Sequence, residues 1–233
     1  MIKFKKPSEI ILSNGRTLEQ ALESHRKWLL GEDGKRLILK GEDLSYANLI
    51  NAELKYADLS YANLINANLS YAHLDYAKLI QADLINTDLS NAILINANLS
   101  HAYLSGVDLR EVELMNVNLS NAELTNTDLS YADLSNAKLT KASFCLINLY
   151  KAKGDFVGVE NIGSRNDTTH YFYNINRVIC GCFNGTMKEF ENKVKNEYSE
   201  DNEYYKQYIV AIDTLKKLAE LKSNSIDSKR KYR

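Results

Sequence analysis

Ala57-Asp58-Leu59-Ser60-Tyr61-Ala62-Asn63-Leu64-Ile65-Asn66-Ala67-Asn68-Leu69-Ser70 returns to leucine at every fifth residue. The same beat runs from Leu44 to Leu149, twenty-two positions of which twenty-one are Leu and one is Phe144. Two residues before each stands a small side chain, Ala at fifteen of them, with Glu42, Thr87, Val107, Val112, Val117, Thr127 and Ile147 as exceptions. The unit reads Ala-Asp/Asn-Leu-x-x. A period of five suits no regular element: on an α-helix each leucine advances by about 140° from the last, and on a flat strand successive leucines point to opposite faces. The chain therefore has to turn within every unit. A short extended piece points residues i−2 and i the same way, and a bend over the next two starts the following piece. Turning repeatedly in one sense makes a coil, with Ala and Leu inside and the other three positions outside.

Stacked positions share a character at the coil period, which makes the number of sides readable. Thr87, Val107, Thr127 and Ile147 are spaced by twenty, as are Asp88, Asp108 and Asp128 beside them. Twenty residues are four units, hence four sides. Val112 and Val117 fall outside this column, and Ile65-Asn66-Ala67-Asn68-Leu69-Ser70 recurs thirty residues later rather than twenty.

On these residues the chain resembles the pentapeptide-repeat proteins, without interruption over residues 39–153. The resemblance implies a β-solenoid, a right-handed quadrilateral β-helix with β-turn corners. With coils one strand spacing apart, ~4.8 Å, five and a half of them make a rod of ~26 Å. Each buried leucine contributes roughly 1.5–3 kcal/mol. Open solenoid ends expose unpaired backbone and core, so both need covers.

Ahead of the repeat, Glu9-Ile10-Ile11-Leu12-Ser13-Asn14-Gly15-Arg16 carries an Asn-Gly turn signal after an apolar strand. Thr17-Leu18-Glu19-Gln20 has the capping-box pattern, and Leu18, Ala21, Leu22, His25 and Leu29 keep helical spacing until Gly31. A helix over 17–30 is expected to lid the first coil within a cap of residues 1–38, with Trp28 and His25 favoured as packing of that lid over a role as contact residues. After Lys153-Gly154 the composition changes. Stretches 155–163, 168–175 and 177–183 predict a short β-meander, and helices follow from Thr186 to about 197 and over about 203–222. This gives a small C-terminal α+β region over 154–222 and a basic, disordered tail over 223–233. Thr168-Thr169-His170-Tyr171 with the run from Arg177 to Thr186 is also similar to a segment that follows pentapeptide repeats in bacteriophage-encoded proteins.

Composition narrows the function. At 45% hydrophobic the 233 residues can bury a core, and 29 basic against 30 acidic residues leave no overall field toward nucleic acid or a membrane surface. No apolar run follows Met1-Ile2-Lys3-Phe4-Lys5-Lys6-Pro7 as a signal peptide or membrane span would, so a cytoplasmic location is expected. Cys145, Cys180 and Cys182, an odd number, read as free thiols. No Gly-rich phosphate loop, nucleophile elbow or zinc-type His-Glu pair occurs, so neither an enzyme nor a cofactor is expected. Cys180 and Cys182 alternate along one strand with His170 on the next, a partial metal-donor set. Zinc takes four ligands at looser spacing, and burial of two small apolar side chains carries more weight.

The outward positions offer the candidate interaction surface. Asp88, Asp108 and Asp128 should form a solvated ladder at ~4.8 Å, where repulsion in water is only about 1 kcal/mol per pair. Tyr56 over Tyr76, Ile65 over Ile85 and Ile95 over Met115 are expected to make an apolar strip, for a protein partner or a second copy of the chain. Such ladders also stabilise stacked coils by themselves. Two functions follow. One is a non-enzymatic scaffold that binds a protein. The other comes with the resemblance, because the family includes rod-shaped inhibitors of DNA gyrase that imitate B-form DNA. Residues 41–153 hold 7 basic and 13 acidic side chains, net −6. Duplex DNA of ~26 Å carries about 15 charges. The gyrase-protecting members also commonly carry loop insertions, and none interrupts this repeat. The flanks are left at +5, partly from Ser228-Lys229-Arg230-Lys231-Tyr232-Arg233, and direct nucleic-acid binding is not expected.

Overall fold

Backbone hydrogen bonds in the computed structural model show how one unit closes. Ala57 N–H donates to the Leu54 carbonyl across the preceding turn, and Asp58 N–H to Leu37 on one neighbouring coil. Leu59 and Tyr61 N–H donate to Lys78 and Ile80 on the other neighbouring coil. The fifth donor, Ser60 N–H, goes to the Asp58 carboxylate at 3.1 Å. All five donors are satisfied, which a buried coil requires. The pairing register is twenty: bridges join Asp88 to Asp108 and Asp108 to Asp128. Strands β1 (Glu123–Thr125) and β2 (Ser143–Cys145) run parallel in that register.

Most corners are turns closed from the Leu carbonyl to the N–H three residues on, such as Ala62 to Leu59 at 3.1 Å. The third residue is left-handed, as in a type II turn. From Tyr46 to Lys151 every described residue at this position has positive φ, between +52° and +63° apart from Gly106. Nine are Asn, the side chain that tolerates this conformation best after Gly. Asp or Asn before the leucine recurs for a related reason. Its Oδ1 accepts the N–H two residues on, as Asn63 does from Ile65 and Asp128 from Ser130.

The structure describes residues 3–145, 147–149, 151–154, 156–162, 167–173, 176–180 and 183–230. They fall in two compact units, Met1–Gly154 and Asp155–Arg233. In the first, the interior column is closed to solvent, with Leu59, Leu74 and Leu94 all at 0% exposure. Thr87 and Thr127 keep their hydroxyls inside by donating to the carbonyls of Leu64 and Leu104 at 2.8 and 2.9 Å. Glu42, the acidic exception at an inward column, accepts from Ser13 N–H at 3.0 Å.

Lys5 adds a rung beside Ala47, donating to the Tyr46 carbonyl and accepting from Asn48 N–H, both at 2.8 Å. A 3-10 turn, Pro7–Glu9, follows. The apolar strand expected over Ile10–Leu12 forms only a single bridge, Ile11 to Thr17. Ile10 and Leu12 turn inward and leave Ile11 64% exposed, and Gly15 at φ +80° closes the loop. Helix α1 (Leu18–Leu29) starts at the Thr17/Gln20 capping box. It buries Leu18, Ala21 and His25, and His25 Nδ1 accepts from Leu37 N–H at 3.1 Å.

The second unit is an antiparallel meander in the order β3 (Phe156–Ile162), β4 (Asp167–Phe172), β5 (Arg177–Cys180), β6 (Phe183–Gly185). Helices α2 (Met187–Glu197) and α3 (Glu203–Arg230) follow, α2 opening at a Thr186/Glu189 capping box. Val178, Met187, Phe190, Val194, Tyr208, Ile212 and Leu215 form the core. Helix α3 continues past the end expected near residue 222, its backbone helical to Arg230. No Gly or Pro interrupts Ser223–Arg230, and propagating an established helix is far easier than nucleating one.

Candidate interaction sides of the solenoid

Four columns of leucine define four sides, named here by Leu44, Leu49, Leu54 and Leu59. Sides ten residues apart are opposite one another. Tyr56 and Tyr76 occupy left-handed corners after the Leu54 side, 40% and 48% exposed, with rings stacked at 5.0 Å and 18°. Trp28 extends this ladder, edge-on to Tyr56 at 6.3 Å and stacked on His25 at 5.6 Å. The sequence favours packing of the lid over partner contact for Trp28. Its approach to Tyr56 depends on where α1 ends, which no local pattern encodes.

The single apolar strip does not exist. Ile65 and Ile85 follow the Leu44 side, whereas Ile95 and Met115 follow the opposite Leu54 side, because a step of thirty residues is one and a half coils. All four are half-buried. What the structure brings together is one corner: Trp28, Tyr56 and Tyr76, continued by Ile95 and Met115 in the adjoining column.

Asp88, Asp108 and Asp128 do stack on the Leu49 side, yet they are not simply a solvated stripe. Each accepts a backbone N–H two residues on. Arg110 Nε also donates to both Asp108 oxygens at 2.8 and 3.0 Å. Partial burial works to raise the Asp108 pKa, but the Arg110 bonds hold it below the ordinary carboxylate value. Asp88 and Asp128 in turn favour the Arg110 cation.

His170 and Cys180 cannot share a metal. Thr169 faces Cys180 across β4 and β5, its hydroxyl 3.2 Å from the sulfur, so His170, opposite Ile179, points to the other face of the sheet. Cys182 lies outside the described residues. Among those described, no three His, Cys, Asp or Glu side chains are placed to hold a metal ion. His170 is buried edge-on against Phe156, and burial lowers its pKa to about 4.

Charge is sorted by side. The Leu44, Leu49 and Leu54 sides carry four carboxylates each, and the Leu59 side has only Asp58. The Leu59 side instead carries Lys40, Lys78, Lys138 and Lys141, all exposed. Reading the outward positions in columns of twenty would have found this.

The first unit is thus built on a four-sided β-helix whose every corner is set by a five-residue unit. Residues 39–153 belong to the pentapeptide-repeat family: eight copies of the family model, Pentapeptide repeats, match over 39–70, 72–110, 92–130, 108–145 and 127–153. The family's fold is the right-handed quadrilateral β-helix. Among solved structures, HetL of the cyanobacterium Nostoc sp. PCC 7120, involved in heterocyst differentiation regulation, is 34% identical over 51% of this chain and 58% of its own, with a TM-score of 0.31. Rfr23 of Cyanothece 51142 is 36% identical over 45% and 60%, TM-score 0.21. Full-length QnrB1, a plasmid-mediated fluoroquinolone resistance protein, is 21% identical over 52% and 92%, TM-score 0.20. The chain spans less than two thirds of the length of HetL and Rfr23. No curated protein matches it. Among the described residues no helix is long and apolar enough to cross a membrane.

Proposed function

We propose that this protein is a non-enzymatic scaffold that presents a side of its solenoid to a protein partner in the cytoplasm. The observation that carries the reading is the corner of Trp28, Tyr56 and Tyr76, an exposed aromatic ladder on a rigid backbone, with Ile95 and Met115 beside it. Exposed aromatics on a pre-ordered surface lose little entropy on binding and supply most of the energy of many interfaces. The N-terminal rung and α1 serve as a cover for the first coil. The phage-like run in the second unit makes a host protein the expected target. Affinity capture from producing cells tests this. Tyr76→Lys with Ile95→Lys should lose the captured protein and keep the fold, and identical capture by variant and wild type refutes the corner as the interface.

A second reading, imitation of duplex DNA toward gyrase or another DNA-binding protein, is favoured by the stacked Asp88, Asp108 and Asp128. Arg110 within that ladder and the cationic Leu59 side weigh against it. Purified protein that leaves gyrase supercoiling unchanged at micromolar concentration removes it.

A further inference from the structure

We infer that the Leu59 side is a docking face for an acidic protein surface, anchored at its N-terminal end by tyrosines held in left-handed backbone. This deepens the scaffold reading and rests on it.

The first observation is the sorting of charge. With four lysines and one carboxylate, the Leu59 side stands at +3 on a solenoid that is otherwise acidic. Burial works to raise the Asp58 pKa, but its bonds from Ser60, helped by the neighbouring Lys78, hold it below the ordinary carboxylate value. Among the described residues no carboxylate lies within salt-bridge distance of Lys138 or Lys141. A solenoid needs no such imbalance to stack. The excess is complementary to a partner of opposite sign.

The second observation is independent of charge. Tyr56 and Tyr76 border this side along one edge and Tyr61 along the other, with φ of +63°, +57° and +63°. A large L side chain is strained there, and Asn relieves that strain at nine other corners. Five of the seven corners from Tyr46 to Tyr76 are nevertheless Tyr, and none of the ten from Gln81 to Asn126 is. The tyrosines are thus concentrated at one end against the backbone's preference, and three of the five, Tyr56, Tyr61 and Tyr76, line the edges of this side at 40–52% exposure. Ile38, 59% exposed, lies between those edges, and Lys40 Nζ sits 5.3 Å from the Tyr61 ring centre. Tyrosine anchors beside an apolar residue within a cationic field are what an acidic protein surface would engage.

A nucleic acid fits less well. Lys40 and Lys78 lie toward one end of the side and Lys138 and Lys141 at the other. Between them Asn98, Ser100, Asn118 and Ser120 offer no charge to an even row of phosphates, and Asn118 Nδ2 is already bonded to Asn98 Oδ1 at 3.1 Å.

The test titrates the full chain with a synthetic glutamate–tyrosine copolymer by calorimetry. Saturable binding is expected, weakened about tenfold or more by salt and by Lys78→Glu with Lys138→Glu, and unchanged by Arg110→Glu on the opposite side. Lys78→Gln with Lys138→Gln gives a smaller loss in the same direction, without new charge. Tyr56→Asn with Tyr61→Asn should weaken binding comparably while the thermal midpoint stays level or rises. Absence of saturable binding overturns the proposal, as does insensitivity to the lysine variants or a lowered midpoint for the Asn variants. Equal affinity for a short DNA duplex overturns the protein assignment in favour of a general polyanion face. Self-association abolished by the lysine variants identifies a second copy as occupant instead. Failure here with capture through the aromatic corner intact would leave the scaffold reading standing.

Discussion

Neighbouring residues Leu94 and Ile95 should differ sharply when truncated to alanine. Leu94 is wholly buried in the middle of the Leu54 column, with Leu74 and Leu114 on the coils either side. A closed interior between two fully bonded coils cannot collapse onto the gap. Leu94→Ala should therefore lie in the upper part of the range for such truncations, about 3–5 kcal/mol. Ile95 is half-buried at the corner and touches solvent, so Ile95→Ala should lose no more than about 1 kcal/mol. The lone tryptophan, Trp28, belongs to the solenoid unit and packs on Tyr56, so its fluorescence in a urea titration follows this unit and not the C-terminal one. Equal losses for the two variants, or a loss under about 1 kcal/mol for Leu94→Ala, would refute the idea that five-residue spacing places every leucine in one interior.

Asp83→Ala removes the acceptor for Ile85 N–H and should lower stability by about 1 kcal/mol, with Asp83→Asn restoring it in the same titration. Thr127→Val keeps the shape but loses the hydroxyl bond to the Leu104 carbonyl. A fall of about 1 kcal/mol is expected, and a gain would show that the hydroxyl is merely tolerated. His170 has a pKa of about 4 when folded against 6.5 when exposed, so the unfolded chain binds its proton first as pH falls. Stability of the C-terminal unit should be full above about pH 6.5 and drop by up to ~3 kcal/mol toward pH 4. Circular dichroism melts at a series of pH values check this, and His170→Phe should flatten the dependence.

The four-sided coil was legible because a period of five is incompatible with both regular elements, and Asp88, Asp108 and Asp128 displayed the register that the bridges follow. The surface was less legible because each outward residue has to be placed by its remainder after whole coils. Ile65 and Ile95 look alike in sequence and lie on opposite sides. The faces of His170 and Cys180 likewise depend on a strand register that no sequence pattern fixes. The left-handed corners were hidden at the tyrosines, since Tyr has no preference for that conformation. Helix α3 overran its expected end because Lys and Arg continue a packed helix as readily as they make a tail.

Because each unit bonds mainly to the coils twenty residues before and after it, whole units can be added or lost without unravelling the rest, but not every change is equivalent. Loss of one unit would swing all later surfaces through a quarter turn, carrying lysines under carboxylates. Loss of four would delete a single storey and leave the remaining walls in line. Length variants of this architecture that keep their binding properties should therefore differ by twenties.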